Sequence, residues 1–316
     1  MLKFTTHSML YITDVLEKKI TNLAREEILE FEVLNPDICD SVYAGNIVQV
    51  NDILYLYRSY KAWVDLASLL HCKILTPLLK EKHLSIIRYK KLQEDQSFHH
   101  QKSSIEEKYG KDSIFSQIHK MEEPSFFHYF KQALKNVDVN KRTRILNLGI
   151  NNADEFEYIK EFASNFENLE LVGIDYCESA INEAQLKLSA FENIKFYSHD
   201  INELSSLNLG TFDLILSIGT LQSSNLEYKP LLMSIVQNHL NPYGSMILGF
   251  PNCRWIDGEM VYGARPKNYR FSEMSLIYND VVFAKKYLQQ KQFRVTVTGK
   301  EYIFVTATSI RKELPN

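Results

Sequence analysis

The stretch RILNLGINNADEF, residues 144–156, decides the fold. Its first half is a β-prone apolar run that stops on Gly149, and the chain then turns at once into a segment with Phe156, Ile159 and Phe162 at helical spacing. A strand that ends on glycine lets a ligand approach the backbone closely. The helix after it offers N–H groups with no internal partner. Downstream the pattern recurs in LELVGID (169–175), IKFYSHD (194–200), FDLILSIG (212–219) and SMILGF (245–250), separated mostly by helical stretches such as INEAQLKLSAF and KPLLMSIVQNHL. Near-continuous apolar strands alternating with helices predict a parallel sheet covered on both faces. Ligands of such sheets bind at the C-terminal strand ends.

Those ends carry the unusual residues. Asp175 closes the second strand 26 residues after Gly149, where a carboxylate can accept both hydroxyls of a ribose or, alternatively, cap the next helix. Tyr176 comes directly after it and can lie along an adenine or cover the sheet edge. Asp200 closes the third strand; its carboxylate suits an exocyclic amino group, and the Ile201 N–H suits a ring nitrogen.

The tail narrows the choice of fold further. After the helical stretch DVVFAKKYLQQKQ come FRVTVTG and YIFVTATS, with only Lys300 and Glu301 between them. Parallel neighbours need a crossover of about a dozen residues or more, so this pair is an antiparallel hairpin. A nicotinamide dehydrogenase shares the glycine turn and the ribose acid, but its GxGxxG is absent here.

In order and spacing, RILNLGI, LELVGID, FYSHDI, FDLILSIG and LNPYGSMILGF resemble the motifs of class I S-adenosylmethionine-dependent methyltransferases, over residues 144–308. The resemblance implies an α/β fold with a Rossmann-like seven-stranded sheet, order 3-2-1-4-5-7-6 with the last strand antiparallel. It implies S-adenosylmethionine as cofactor and methyl transfer as activity. It sets Gly149 against the cofactor, Asp175 at the ribose, Asp200 near the adenine, and Ser217 on the fourth strand beside the methionine portion. The chain departs from the family at Asn147, where an acid is usual, and at Asn151 and Ala153, where further glycines are usual; Asp154 is the candidate for the missing carboxylate. No base is singled out, and SIGTLQSSN stands where an NPPY-like motif would come after the fourth strand.

Upstream the pattern changes near residue 140. Residues 1–140 read as a mainly helical region for acceptor recognition or pocket cover, and residues 141–316 as the cofactor-binding domain. Asp14 and Glu17 fit a capping box, with Val15, Leu16, Ile20, Leu23 and Leu29 along one long helix. IVQV and ILYLY around Asn51 and Asp52 read as two strands or a hairpin. Ser59 opens a second helix through Trp63, Leu66, Ala67 and Leu70, with Pro77 closing the segment, and Pro124 opens a third through Phe126, Phe127, Phe130 and Leu134. His99 and His100 invite a metal or base reading, but adjacent residues face apart on a regular element, and a polar loop is the plainer one.

The 316 residues carry a formal charge of −3, which draws the protein to no polyanion and leaves RNA as an open alternative acceptor. A basic stripe joining Lys80, Lys82, Arg88, Lys90 and Lys91 would favour an RNA or protein methyltransferase. A misshapen pocket beside Gly149 would favour a cofactor-binding relative without catalysis. Four cysteines without CxxC spacing predict thiols rather than a zinc site, and the absence of a signal sequence or an apolar run of about 20 residues predicts a cytoplasmic protein away from membranes. The methyl acceptor is unidentified; a small polar or anionic molecule is favoured. Its expected site is the long segment Pro251 to Tyr278, through Arg254, Trp255, Tyr262 and Arg265.

Overall fold

Apolar residues alternate with charged ones in ILEFEVL and LSIIRYKK, and in the computed structural model this alternation builds a sheet near the N-terminus. The structure describes residues 1–24, 26–38, 40–93, 113–223, 225–264 and 272–311. The chain divides into two compact units, residues 1–97 with Trp255–Val261, and residues 98–254 with 262–316.

The first unit contains β1 (Leu2–Lys3), α1 (Met9–Thr21), β2 (Ile28–Leu34), β3 (Ile47–Val50), β4 (Ile53–Leu56), α2 (Tyr60–Leu69), β5 (Cys72–Glu81) and β6 (Leu84–Lys91). Four of these strands form a sheet in the order β1-β2-β6-β5. Leu29 pairs opposite Tyr89 and Phe31 opposite Ile87. These four residues join Ile12, Leu16 and Ile20 of α1 and Trp63, Leu66 and Ala67 of α2 in one core. Each large apolar side chain buried this way contributes about 1.5 to 3 kcal/mol.

Six strands and two helices replace the mainly helical region expected from sequence. Helix α1 starts at its cap Ser8, whose Oγ accepts the Tyr11 N–H at 3.2 Å, and not at Asp14. The earlier start puts Ile12, Leu16 and Ile20 on one face, at successive four-residue steps, while Leu29 belongs to β2. Asn51 and Asp52 both take positive φ, +48° and +60°, and close the β3–β4 hairpin as a two-residue turn. Ser59 caps α2 in position, although its side chain makes no capping hydrogen bond. Pro77 ends no segment: it sits inside β5, an edge strand, where the register shifts between Leu75 and Leu78. His99 and His100 lie outside the described residues.

The second unit contains α3 (Pro124–Asn136), β7 (Arg144–Leu148), α4 (Asp154–Phe162), β8 (Glu170–Asp175), α5 (Glu178–Lys187), β9 (Ile194–Ser198), β10 (Phe212–Ile218), α6 (Tyr228–Asn238) and β11 (Leu240–Pro251). After these come β12 (Cys253–Ile256), β13 (Glu259–Tyr262), α7 (Ser275–Gln290), β14 (Phe293–Gly299) and β15 (Tyr302–Ser309). Seven strands form one sheet in the order β14-β15-β11-β10-β7-β8-β9. β15 runs antiparallel to both β11 and β14, and the remaining pairings are parallel. This is the 3-2-1-4-5-7-6 order with a reversed last strand. The C-terminal ends of β7, β8, β9 and β10 therefore share one edge.

Helix α3 packs within this unit rather than upstream of it. Phe126 meets the rings of Tyr302 and Phe304 edge-on at 4.9 and 5.4 Å, and Phe130 lies against Phe304. The segment after β11 is only partly a loop, because β12 and β13 pair as a two-stranded sheet. The tip of that hairpin belongs to the first unit, where Glu259 pairs with Lys73 and Ile256 and Val261 form a small core with Leu92.

Candidate cofactor site

The turn from β7 into α4 is built from three left-handed residues at alternate positions: Gly149 (φ +76°), Asn151 (φ +48°) and Ala153 (φ +66°). Alternating handedness of this kind turns successive N–H groups toward one side and makes a concavity suited to a negative or polar group. Asparagine tolerates the left-handed region; alanine costs about 1 kcal/mol there. The loop thus keeps a glycine-type shape at Asn151 and Ala153 without the glycines. At Gly149 the residue type has an internal reason as well: an added Cβ would lie 1.9 Å from the Thr220 Oγ1 at the end of β10.

Asp175 ties this turn to β8. Its Oδ2 accepts the Asn151 N–H and its Oδ1 the Cys177 N–H, each at 2.9 Å. Burial pushes the carboxyl above its ordinary value against the pull of backbone N–H groups from Cys177, Asn151 and Tyr176, with the nearby Glu155 charge adding to the push. The residue capping α5 is Cys177, not Asp175. An ionised carboxylate offers about four acceptor directions, so Asp175 keeps capacity for further donors. Beside it the Tyr176 ring is 48% exposed.

Asp200 is the residue that acts as a cap. Its Oδ1 accepts the Asn202 N–H at 2.9 Å at the head of a 3-10 turn, Ile201–Leu207. As the first residue of that turn, Ile201 has an N–H without an intrahelical partner. Ser217 is buried on β10 and donates to the Leu148 carbonyl at 3.3 Å, which ties β10 to β7. Asp154 is engaged by Lys187 at 2.8 Å, and Lys187 also pairs with Glu157 at 2.5 Å.

The carboxylate near Asn147 is instead Glu155, which sequence reasoning missed. Asn147 and Glu155 are each 1% exposed, and the Asn147 amide N–H faces Glu155 Oε2 at 3.4 Å. Asn147 Oδ1 is buried and has no hydrogen-bond partner among the described residues. Lys120, on a 3-10 turn (Lys120–Glu122) ahead of α3, places its Nζ 2.6 Å from Glu155 Oε1. The signal that could have found Glu155 is its spacing: it falls four residues before the buried Ile159 and next to the buried Phe156.

The segment expected to meet the acceptor is divided. Arg254 is buried and its Nε donates to the Gly263 carbonyl at 3.2 Å, bracing the hairpin backbone. Burial pushes the neighbouring Cys253 thiol up to about 12. Trp255 is half-buried and belongs to the first unit. Tyr262 is exposed, with its hydroxyl 3.6 Å from Met274 Sδ. Arg265 lies outside the described residues.

A family model described as a methyltransferase domain matches residues 140–297. No curated protein matches the chain significantly. Among solved structures, the N-methyltransferase NodS from Bradyrhizobium japonicum WM9 in complex with S-adenosyl-L-homocysteine is 15% identical, with a TM-score of 0.42 over 61% of this chain and 92% of its own. The plantazolicin methyltransferase BpumL in complex with S-adenosylhomocysteine is 14% identical, with a TM-score of 0.44 over 64% of this chain and 93% of its own. A SAM-dependent methyltransferase from Aquifex aeolicus is 18% identical, with a TM-score of 0.42 over 62% of this chain and 98% of its own. With half of its length matched by the methyltransferase-domain model and the 3-2-1-4-5-7-6 sheet in place, the chain belongs to the class I methyltransferases, enzymes that use S-adenosylmethionine as methyl donor.

Proposed function

We propose that the cofactor lies across the C-terminal ends of β7, β8 and β9 and that its methyl group goes to a small polar or anionic acceptor. The observation that carries the first part is the conjunction at Asp175. A half-buried carboxylate with spare acceptor capacity is fastened to a concave turn of left-handed residues and followed by a half-exposed tyrosine ring. Asp175 would accept from the ribose hydroxyls, Tyr176 lie along the adenine, and Asp200 with the Ile201 N–H meet its polar edge. Gly149 and Asn151 supply the backbone of the turn, with Asn147 and Ser217 beside the methionine end. The buried oxygen of Asn147 fits that end, because it needs a donor that the described residues do not give it.

The cofactor supplies the electrophilic methyl when bound, so the work left to the chain is alignment and exclusion of water. No residue is assigned as base. The acceptor class rests on charge. In the stripe that would have drawn RNA, Lys80 pairs with Glu32, Arg88 with Glu30 at 3.1 Å, and Lys90 with Glu26 at 2.5 Å. Three of its five cations are thereby neutralised across the first sheet. We assign acceptor recognition to the N-terminal region and to the segment Pro251 to Tyr278. A cytoplasmic location is supported by the free, buried thiols of Cys72, Cys177 and Cys253. Among the described residues no helix is long and apolar enough to cross a membrane.

Calorimetry and thermal melting with S-adenosylhomocysteine and NAD test the cofactor assignment. The first should bind and raise the melting temperature and the second should do neither; the reverse overturns it. Incubation with methyl-labelled S-adenosylmethionine and fractionated lysate tests the acceptor. Label in the small-molecule fraction is expected, and label confined to RNA or protein overturns this part.

A further inference from the structure

Helices α1 and α2 pack in one core of the first unit, Ile12, Leu16 and Ile20 with Trp63, Leu66 and Ala67. Their starts are tied together. The Leu56 N–H donates to the Thr5 carbonyl at 3.0 Å, and from each of these residues the chain runs three more to an N-cap, Ser59 or Ser8. Neither helix has an acid in its first turn, and the Ser59 side chain makes no capping hydrogen bond. Two positive helix ends therefore come together without a negative side chain in either first turn.

Arg58, the residue before the Ser59 cap, bridges the two starts. It is 6% exposed, its Nη2 donates to the His7 carbonyl at 2.6 Å, and its guanidinium lies over the Trp63 ring, 5.7 Å from the centroid. Among the described residues no carboxylate pairs with it. Burial pushes its value down with no acid to oppose the push, whereas at the half-buried Arg142 the charges of Asp213 and Asp138 act the other way. Trp63 Nε1 is a further donor here, buried with no acceptor among the described residues. Buried charges are ordinarily paired, so the shortage at this corner is of negative charge and of acceptors.

We propose that Arg58 and the starts of α1 and α2 bind an oxyanion, the phosphate or carboxylate group of a small molecule. The bond to His7 uses one of the five guanidinium donors, and a phosphate or carboxylate matches the planar fork that the others form. First-turn N–H groups without intrahelical partners add donors of their own. An anionic methyl acceptor would bring such a group, but the site lies in the first unit and stands whichever molecule is methylated.

The test is titration of the full chain, without cofactor, with inorganic phosphate and with acetate at constant ionic strength, which separates binding from screening. Saturable amide shifts at Met9, Leu10, Tyr60 and Lys61 and a raised melting temperature are expected, and the tighter anion identifies the head group. Arg58→Met should weaken that binding by at least about 10-fold. Ser59→Asp keeps Arg58, supplies a carboxylate at the α2 cap, and should melt higher than wild type while losing the response to anion, so the test survives if Arg58→Met fails to fold. No saturable response of wild type to either anion, or binding by both variants as tight as that of wild type, overturns the proposal.

Discussion

Two buried glutamates, one in each unit, meet their partners in opposite ways. Glu32 on β2 has a lysine for each oxygen: Lys3 lies 3.1 Å from Oε1, and Lys80 pairs with Oε2. Burial pushes its carboxyl up, but the hydrogen bonds from Lys80 and Lys3 outweigh that and hold it below the ordinary value. Glu155 has one lysine, one long amide contact, and an orphaned amide oxygen beside it. An unmet buried acceptor costs about 1 to 3 kcal/mol. The closed set at Glu32 holds a sheet together. The set at Glu155 leaves the Asn147 amide oxygen without a donor among the described residues.

The largest effect that would break this contrast is on stability. Glu32→Gln should lower unfolding free energy by about 3 kcal/mol in chemical denaturation, since it leaves Lys3 and Lys80 without their partner, while S-adenosylhomocysteine affinity stays unchanged. A fall in affinity would mean that Glu32 is more than structural. The gap between wild type and Glu32→Gln should be full above the ordinary glutamate value of 4.5 and close as the pH falls through the depressed folded-state value. Asp175 should behave in the opposite sense. Its raised value makes its contribution fullest below the ordinary 3.8 and lost as the pH rises through the folded value, so Asp175→Asn should gain on wild type above that window.

Next in size, Asp175→Ala should weaken S-adenosylhomocysteine binding by about 1.5 to 3 kcal/mol in a fold that survives. Unchanged affinity would reduce Asp175 to a tie between β8 and the turn. Ala153→Gly should raise stability by about 1 kcal/mol by relieving the left-handed alanine, and a loss instead would show that the methyl group packs for more than its backbone costs. Smallest of all, Trp255→Ala should change S-adenosylhomocysteine affinity by less than about 0.5 kcal/mol while lowering methyl transfer, as expected of a residue away from the cofactor.

The large sheet was legible because its strands are buried on both faces and read as near-continuous apolar runs. The β3–β4 hairpin was legible in Asn51 and Asp52, which accept the positive φ of its turn. The first sheet was harder to read. β5 is an edge strand interrupted by Pro77, with lysines along it, and its alternation is too weak to stand out. In the site, strand-end positions such as Asp175 could be read from the order of elements. For Glu155 the sequence offers only its helical spacing to Ile159; its pairing with Lys120, 35 residues upstream, is made only in the folded chain. Likewise nothing in the local sequence shows that Arg254 turns back to the Gly263 carbonyl.

The hairpin tip Trp255–Val261 has a consequence for synthesis. The first unit takes its last pieces, the Glu259 partner of Lys73 and the Ile256 and Val261 partners of Leu92, from beyond residue 250. A ribosome that has delivered residue 97 must therefore translate 164 more before residue 261 appears, roughly 10 to 30 seconds at ordinary elongation rates. Through that interval Leu92 lacks its Ile256 and Val261 partners. The main core of the first unit draws on no residue beyond Tyr89 and can form first, and only the small cluster at Leu92 waits for the hairpin tip.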